Sequence, residues 1–206
     1  MENTVELERE IRGRGKLNIQ SPAGIHPIVS WSNRLDWRDG HVEPVSAWVP
    51  EDLYGDILEW MPICCVDTVI VNEGRMFQTL RSQEPQAGQW WVQGGRLRKG
   101  ENLLEAAKRT AEAETGLDVE LVELLGVFST MFDSSAHANS TTHTVNITFL
   151  GALTAANADP AIDVTHNDYR WWPLSEPTGN PYLDQLGTLA RTALSKANDQ
   201  GPGSGI

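Results

Sequence analysis

The sequence predicts a domain of the α+β or α/β class, in which helices pack on a central mixed sheet. A nearly continuous apolar run, Ile63–Val71, is typical of a buried strand. An amphipathic stretch, Asn102–Thr115, lies between a capping asparagine and Gly116, which predicts a helix. Strands and helices follow one another along the chain, so both kinds of element must share one core.

Length and charge restrict the class of protein. The chain has 206 residues, with 28 acidic and 16 basic side chains and a formal net charge of −12. This length suits one domain with an appendage. No apolar run approaches 18 residues, and no basic patch offsets the acidic balance, so we expect neither a membrane partner nor a nucleic-acid partner. A charged amino end and only two cysteines, Cys64 and Cys65, favour a cytoplasmic protein.

The chain divides into three predicted parts. Residues 1–45 form an amino-terminal extension with short strands such as Gly24–Trp31. Residues 46–198 form the main domain, and residues 199–206 form a flexible tail. Trp31 and Trp37 are unusual in a solvated extension, so we expect it to pack on the domain or on a second subunit. A homodimer is the expected assembly.

The sequence of the first half of the domain predicts a helix followed by a β-hairpin. Val49–Met61 is a predicted helix because Pro50 suits its first turn and because Leu53, Ile57 and Trp60 recur at helical spacing. The buried strand Ile63–Val71 follows. A turn at residues 72–74 then leads to the alternating strand Arg75–Arg81.

The second half alternates strands with helices. The predicted strands are Trp90–Gly95, Val119–Met131, Thr142–Leu153 and Tyr169–Leu174. The helix Asn102–Thr115 separates the first two of them. A final amphipathic helix begins at Asn180 and Pro181 and buries Leu183, Leu186, Ala190 and Leu194.

The stretch from Gly94 to Leu117 carries the chemistry. Two glycines end a strand, the basic residues Arg96, Arg98 and Lys99 follow, and an acidic helix comes next. A glycine turn beside carboxylates is suited to a hard cation and to a phosphate bridged to it. The alternative is that the glutamates are the solvated face of a surface helix.

This stretch resembles the signature of the Nudix hydrolases, the Nudix box. The positions that match are Gly95, Glu101, Arg109, Ala111, Glu114, Gly116 and Leu117. Thr110 and Ala113 stand where the box has glutamates, and Gln93 replaces the usual proline. The resemblance implies an α/β/α sandwich with a central mixed sheet and the box in a loop–helix–loop.

The reduced box is similar to that of one Nudix branch, GDP-mannose mannosyl hydrolase. Residues 166–171, His-Asn-Asp-Tyr-Arg-Trp, also look like that branch, and the resemblance covers residues 60–195. It implies a Mg²⁺-dependent (or Mn²⁺-dependent) hydrolase of a nucleoside-diphosphate sugar, GDP-mannose or GDP-glucose. Water attacks the anomeric carbon, and nucleoside diphosphate and free sugar are released.

The resemblance also implies roles for individual residues. The metal ligands are Glu114 and the carbonyl of Gly94, and the general base is His166. Arg81 and Arg96 contact the diphosphate and stabilise the departing charge. The groups that bind the nucleotide or the sugar are Asp67 and Trp90, together with the two arginines. The residues that shape the box are Gly95, Glu101, Arg109 and Gly116, with Glu101 and Arg109 paired across two helical turns.

Plainer interpretations stay open for several of these residues. His166 serves as the base or only caps a turn, Asp67 binds substrate or makes a structural hydrogen bond, and one of Trp90 and Trp91 packs in the core. Thr165 stands where the branch has a metal-binding glutamine, and a hydroxyl is a poorer Mg²⁺ ligand. Two other functions also remain: a pyrophosphatase that attacks phosphorus in ADP-ribose or a similar compound, and a sensor that binds a nucleotide sugar without turnover.

Overall fold

A computed structural model describes residues 42–45, 47, 49–137, 140–155 and 159–199. The predicted strand Gly24–Trp31, the two extension tryptophans and the tail from residue 200 lie outside the described residues. Their predicted roles, and the division at residue 45, therefore stay predictions.

In the part of the chain that the structure describes, seven strands form one sheet. Their bounds are β1 Ile63–Asn72, β2 Arg75–Arg81, β3 Trp90–Trp91, β4 Gln93–Arg96, β5 Val119–Phe132, β6 Thr142–Leu153 and β7 His166–Pro173. The strand order is β3-β2-β1-β6-β5, while β4 also pairs with β1 and β7 also pairs with β2. Strands β1 and β6 run parallel, and the other pairs are antiparallel. The predicted mixed sheet is confirmed.

Within the described residues, the sheet is accompanied by the helices α1 Glu51–Trp60, α2 Leu103–Thr115 and α3 Pro181–Asp199. Alternate residues of β1 face opposite layers, as expected for a strand buried on both sides. Val66 packs with the α2 residues Ala106 and Ala107, whereas Val69 packs with Leu183 and other residues of α3. The sheet thus lies between α2 and α3. No helix among the described residues is both long and apolar enough to cross a membrane.

Three elements differ from the sequence prediction by more than one residue. Helix α1 is shorter than Val49–Met61, with Pro50 at its N-cap position. The predicted strand Trp90–Gly95 is two short strands, since residues 90–91 pair with β2 and residues 93–96 pair with β1. The last strand begins at His166 rather than Tyr169 because its pairing with β2 extends to Arg81.

The buried face of α1 also differs from the expected one. Leu53 is half exposed and Trp60 is 81% exposed, while Leu58 is buried. Leu58 packs with Ile63 and Cys65 of β1, and Tyr54 and Ile57 lie against this cluster. Helical spacing identified Ile57 correctly. It could not show that the sheet would contact the side of the helix that carries Leu58.

Candidate active site

Helix α2 is fixed at both ends by its own sequence. The side chain of Asn102 accepts a 2.9 Å hydrogen bond from the amide of Glu105, which caps the helix amino end. Gly116 ends the helix in the left-handed conformation with φ of 66°, where glycine carries no steric penalty. These caps place Glu114 in the last turn, beside β4.

Glu114 meets the glycine turn through a direct hydrogen bond. The amide of Gly94 donates to Oε2 of Glu114 at 3.1 Å. Burial raises the pKa of Glu114 to about 8; this hydrogen bond and Arg81 oppose the rise, and Asp163 and Asp67 add to it. Glu114 therefore lies in a partly buried acidic centre in which Arg81 is the neighbouring cation.

The side chains of this centre supply only part of the ligands that a metal ion needs. Among the residues that the structure describes, no three His, Cys, Asp or Glu side chains form a group able to hold a metal ion by themselves. A carboxyl group whose pKa is raised by burial and by neighbouring acids nevertheless favours a bound positive charge. A divalent cation can supply that charge in place of the proton. The donor set thus suits an ion whose remaining ligands come from substrate phosphates and water, as Mg²⁺ often uses.

The two positions that lack a box glutamate cannot add ligands. The hydroxyl of Thr110 donates to the carbonyls of Ala106 and Ala107 at 3.0 and 3.1 Å, and Thr110 is buried. Its methyl group also closes the space above Gly95, where a Cβ would lie 3.0 Å from it. Ala113 is exposed and has no polar side-chain atom.

Glu101 and Arg109 pair across the loop and helix. Nε of Arg109 donates to Oε1 of Glu101 at 2.5 Å, and one terminal nitrogen donates to Oε2 at 2.9 Å. The same guanidinium donates to the carbonyl of Arg96 at 3.1 Å, and Glu101 accepts from the amide of Arg98 at the same distance. A two-point Arg–carboxylate pair of this kind fixes the basic loop to the helix.

Asp67 is buried in the middle of β1 and has two partners. Its Oδ2 accepts from Nδ2 of Asn146 at 2.8 Å and from the hydroxyl of Tyr182 at 3.5 Å. Burial raises the pKa of Asp67 to about 7, against the effect of these bonds and of Arg81. The polar group that the sequence left without a partner is therefore satisfied by β6 and α3.

Polar contacts continue from Asp67 along the sheet. Oδ1 of Asn146 accepts from the hydroxyls of Thr130 and Thr144 at 2.8 and 2.5 Å. This network was not predicted from the sequence. The sequence carried a signal, because Thr144, Asn146 and Thr148 occupy alternate positions of a predicted strand and therefore share one face. The structure buries all three side chains, where polar groups need hydrogen-bond partners.

Gly94 lies directly beneath the carboxyl group of Asp67. The two residues are partners in the β1–β4 register. A Cβ at position 94 would overlap Oδ1 of Asp67 and lie 2.9 Å from the carbonyl oxygen of Val66. The pair of glycines thus permits a close approach between the strand and the acidic centre.

His166 is buried at the start of β7, next to Arg81 of β2. Its Nδ1 lies 2.8 Å from Oδ1 of Asp163. Burial lowers the pKa of His166, while Asp163 acts in the opposite direction. Asp163 was missed at the sequence level, although Asp-x-Thr is a pattern typical of a side-chain-capped turn.

The two arginines occupy different surroundings. Arg81 donates from Nε to the carbonyl of Pro85 at 2.7 Å, and its charge acts on Asp67, Glu114 and His166 alike. Arg96 pairs with Cys65 in the register of β1 and β4, on the side of the sheet that Asp67 faces. Its guanidinium lies 4.3 Å from the ring centre of Tyr54. Arg81 is therefore central to the acidic site, and Arg96 lies at its α1 side.

The two neighbouring tryptophans face different groups. The ring of Trp90 lies 4.2 Å from the guanidinium of Arg170. Trp91 stacks on Tyr182 with ring centres 5.2 Å apart, and Tyr182 contacts Asp67. The structure thus brings Trp91, more directly than Trp90, toward the acidic centre.

Two further histidines, His137 between β5 and β6 and His143 in β6, contact other groups. His143 shares a 2.8 Å hydrogen bond with Ser129, on the opposite sheet face from Thr144 and Asn146. The ring of His137 contacts Gly55 of α1.

Comparisons with known proteins place the fold. The family model described as the NUDIX domain matches residues 61–189. The low-salt glycan biosynthesis protein Agl8 of Haloferax volcanii is 36% identical over 100 residues, which span 48% of this chain and 64% of that protein. The match therefore reaches less than two thirds of the relative's length.

Two solved structures share the architecture. The MutT protein of Methanosarcina mazei Go1 has a TM-score of 0.52 and 23% identity, and the match covers 66% of this chain and 96% of that one. The dihydroneopterin triphosphate pyrophosphohydrolase of E. coli has a TM-score of 0.51 and 15% identity, with 64% and 95% coverage. At these identities the likeness concerns the fold.

Proposed function

Because this chain belongs to the Nudix family, we propose that it is a Nudix hydrolase that cleaves a nucleoside-diphosphate sugar of the GDP-mannose or GDP-glucose type. Water attacks the anomeric carbon, and the products are a nucleoside diphosphate and a free sugar. Mg²⁺ or Mn²⁺ is the proposed cofactor.

The small number of carboxylates in the box carries the proposal. Glu114 reaches the glycine turn, while the Thr110 hydroxyl bonds to the carbonyls of its own helix and Ala113 contributes no ligand. Attack on phosphorus with a metal-bound water needs several carboxylates to hold the ions. Attack on carbon requires only that the leaving diphosphate be neutralised, for which one carboxylate site is sufficient.

The proposed ligands are Glu114 and the carbonyl of Gly94. The amide and carbonyl of a strand residue point toward the same edge, so the bond from the Gly94 amide to Glu114 supports a carbonyl directed to that side. A bound divalent cation would supply positive charge to the diphosphate oxygens.

The protein's own groups account for the remaining steps. Arg81 faces the acidic centre and is proposed to bind the diphosphate together with Arg96. Asp67 and Trp90 are proposed to contact the nucleotide or sugar, with Asn146 and Tyr182 orienting the Asp67 carboxyl group. His166 is proposed to accept the proton of the attacking water, a role that suits an imidazole whose pKa is lowered by burial and which is therefore neutral at physiological pH.

The name of one relative supports a substrate that contains a sugar. Agl8 is described as a glycan biosynthesis protein, and glycans are built from sugars activated as phosphate esters. An enzyme that consumes a nucleotide sugar would belong to the same chemistry.

The decisive test is an assay of a panel of nucleotide sugars in ¹⁸O-labelled water with Mg²⁺ or Mn²⁺. The proposal expects nucleoside diphosphate and ¹⁸O on the sugar. Nucleoside monophosphate, sugar phosphate and label on phosphate would identify a pyrophosphatase instead. Thermal stabilisation by a nucleotide sugar without any product would identify a sensor.

We also propose that the protein acts in the cytoplasm as a homodimer, with Trp31 and Trp37 of the extension contributing to the contact. Light scattering of the full chain and of the Trp31→Ala/Trp37→Ala variant tests this. A monomeric mass for the full chain would remove the dimer.

A further inference from the structure

We infer that Asp163 is a positioning residue for His166: its carboxylate accepts a hydrogen bond from Nδ1–H, and this leaves Nε2 as the nitrogen that accepts a proton from water. The catalytic part of this inference, in which Nε2 accepts a proton from water, rests on the proposed function. The arrangement itself rests on the contacts of three residues, Asp163, Thr165 and His166.

Three groups converge on one oxygen of Asp163. Oδ1 lies 2.9 Å from the amide nitrogen of Thr165, 2.7 Å from the Thr165 hydroxyl and 2.8 Å from Nδ1 of His166. A backbone amide can only donate, so Oδ1 is an acceptor in this turn. A ring nitrogen that meets an acceptor must carry the proton, and a neutral imidazole then has its lone pair on Nε2.

The Thr165 hydroxyl does not favour the other tautomer. It lies 3.2 Å from Nδ1 of His166, but its single proton points to Asp163 at the shorter distance of 2.7 Å. Its oxygen therefore faces Nδ1 with lone pairs, as Asp163 does. Thr165 is thus part of the positioning turn, in the place where the related branch has a metal-binding glutamine.

The turn is also attached to the helix that carries Glu114. The amide of Asp163 donates to the carbonyl of Glu114 at 3.1 Å, and the amide of Ala161 donates to the carbonyl of Thr115 at 2.7 Å. The amide of His166 in turn donates to the carbonyl of Asp163 at 3.2 Å. These backbone contacts fix the distance between the histidine and the acidic centre, which a general base requires.

The first experiment measures the tautomer of His166 and needs no substrate. Long-range ¹H–¹⁵N NMR of the ¹⁵N-histidine-labelled protein at pH 8 reports which ring nitrogen carries the proton, and His166→Gln assigns the signal among the five histidines. We expect Nδ1–H in the wild type. An Nε2–H tautomer in the wild type would overturn the inference, whether or not any variant folds.

The second experiment compares three variants. Asp163→Ala should move the His166 proton toward Nε2 and lower kcat on the order of 10²-fold with little change in KM. Asp163→Asn keeps an Oδ1 acceptor for the two donors of Thr165, so it should retain the Nδ1–H tautomer and lower kcat less than Asp163→Ala does. Asp118→Ala is the control, because Asp118 also accepts a hydrogen bond from a threonine hydroxyl (Thr154, 2.9 Å) but is exposed.

The outcomes separate this inference from the proposed function. An unchanged tautomer or an unchanged kcat in Asp163→Ala would show that Asp163 does not position His166. Label on phosphate in the ¹⁸O assay, with the tautomer result intact, would overturn the proposed function and leave the arrangement of Asp163 and His166 standing.

Discussion

The amide of Gly94 donates a hydrogen bond of 3.1 Å to Oε2 of Glu114, which joins the glycine turn of β4 to the last turn of α2. These residues are 20 positions apart in the sequence. Gly94 is also the register partner of Asp67 in the β1–β4 pair. The bond therefore brings the Glu114 carboxyl group close to the buried acid Asp67. The acidic centre therefore depends on both residues.

Glu114→Gln should reduce kcat by about 10²-fold or more while the protein stays folded. Glutamine keeps an oxygen for the Gly94 amide but lacks the charge that a divalent cation needs. The measurements are kcat with saturating Mg²⁺ and the thermal midpoint. Glu112→Gln is the matched control, because Glu112 is exposed and lies two residues away on the same helix; equal effects of the two changes would refute the metal assignment.

The stability of the metal-free protein should fall as pH rises from about 6.5 to 8.5. The folded-state pKa values of Asp67 (about 7) and Glu114 (about 8) lie above their ordinary values because both groups are desolvated. Folding then favours the protonated forms, and this stabilisation is lost as pH passes through the folded pKa values. His166 has a lowered pKa, so it stays neutral in this window.

Thermal unfolding in a chelator, measured across that window, checks this expectation. Glu114→Gln and Asp67→Asn should each flatten the dependence, and added Mg²⁺ should stabilise more strongly at the higher pH. A wild-type midpoint that rises from pH 6.5 to 8.5 would contradict the assigned origin of the pKa shifts.

Gly94→Ala should destabilise the protein by about 1–3 kcal/mol, the usual cost of forcing extra volume into a packed site. The added Cβ would overlap the Asp67 carboxyl group and approach the Val66 carbonyl. Chemical denaturation gives the free energy of unfolding. Gly187→Ala is the control: its nearest atom would be a leucine methyl at 3.7 Å, and alanine is the better residue within a helix.

Arg109→Lys should loosen the basic loop although the charge is kept. Lysine cannot reproduce the two parallel bonds to Glu101 together with the bond to the Arg96 carbonyl. We expect a loss of about 1–2 kcal/mol in the free energy of unfolding and faster amide exchange at residues 96–101. Arg75→Lys, in the exposed pair with Glu73, should cost less than about 0.5 kcal/mol.

The pH–rate profile tests His166 as the base. Protonation of His166 removes the base, so kcat/KM should fall on the acidic side with a midpoint below 6.5, since burial lowers the pKa of His166. The His166→Ala variant should have a much lower kcat/KM, and its pH–rate profile should lack this acidic limb. An acidic limb that is unchanged in His166→Ala would assign the base to another residue.

Much of the fold follows from local patterns. The capping residues Asn102 and Gly116 define α2 to within one residue of the prediction, and the strand Thr142–Leu153 has the predicted bounds. Short-range signals of this kind act within a few residues, so they can be read from the chain. The orientation of α1 could not be predicted in this way, because the packing of the sheet decides which face of the helix is covered.

Within the site, the sequence alone determined the box: its spacing, its missing glutamates and the pairing of Glu101 with Arg109 are all properties of one helix and its preceding loop. The tertiary structure decided the partners of the remaining groups. Asn146 and Tyr182 reach Asp67 from 79 and 115 residues away, and Asp163 meets the Glu114 helix only because a loop folds back on Thr115. Such contacts arise from the packing of distant elements around a common core, and no local preference in the chain specifies which side chains will meet there.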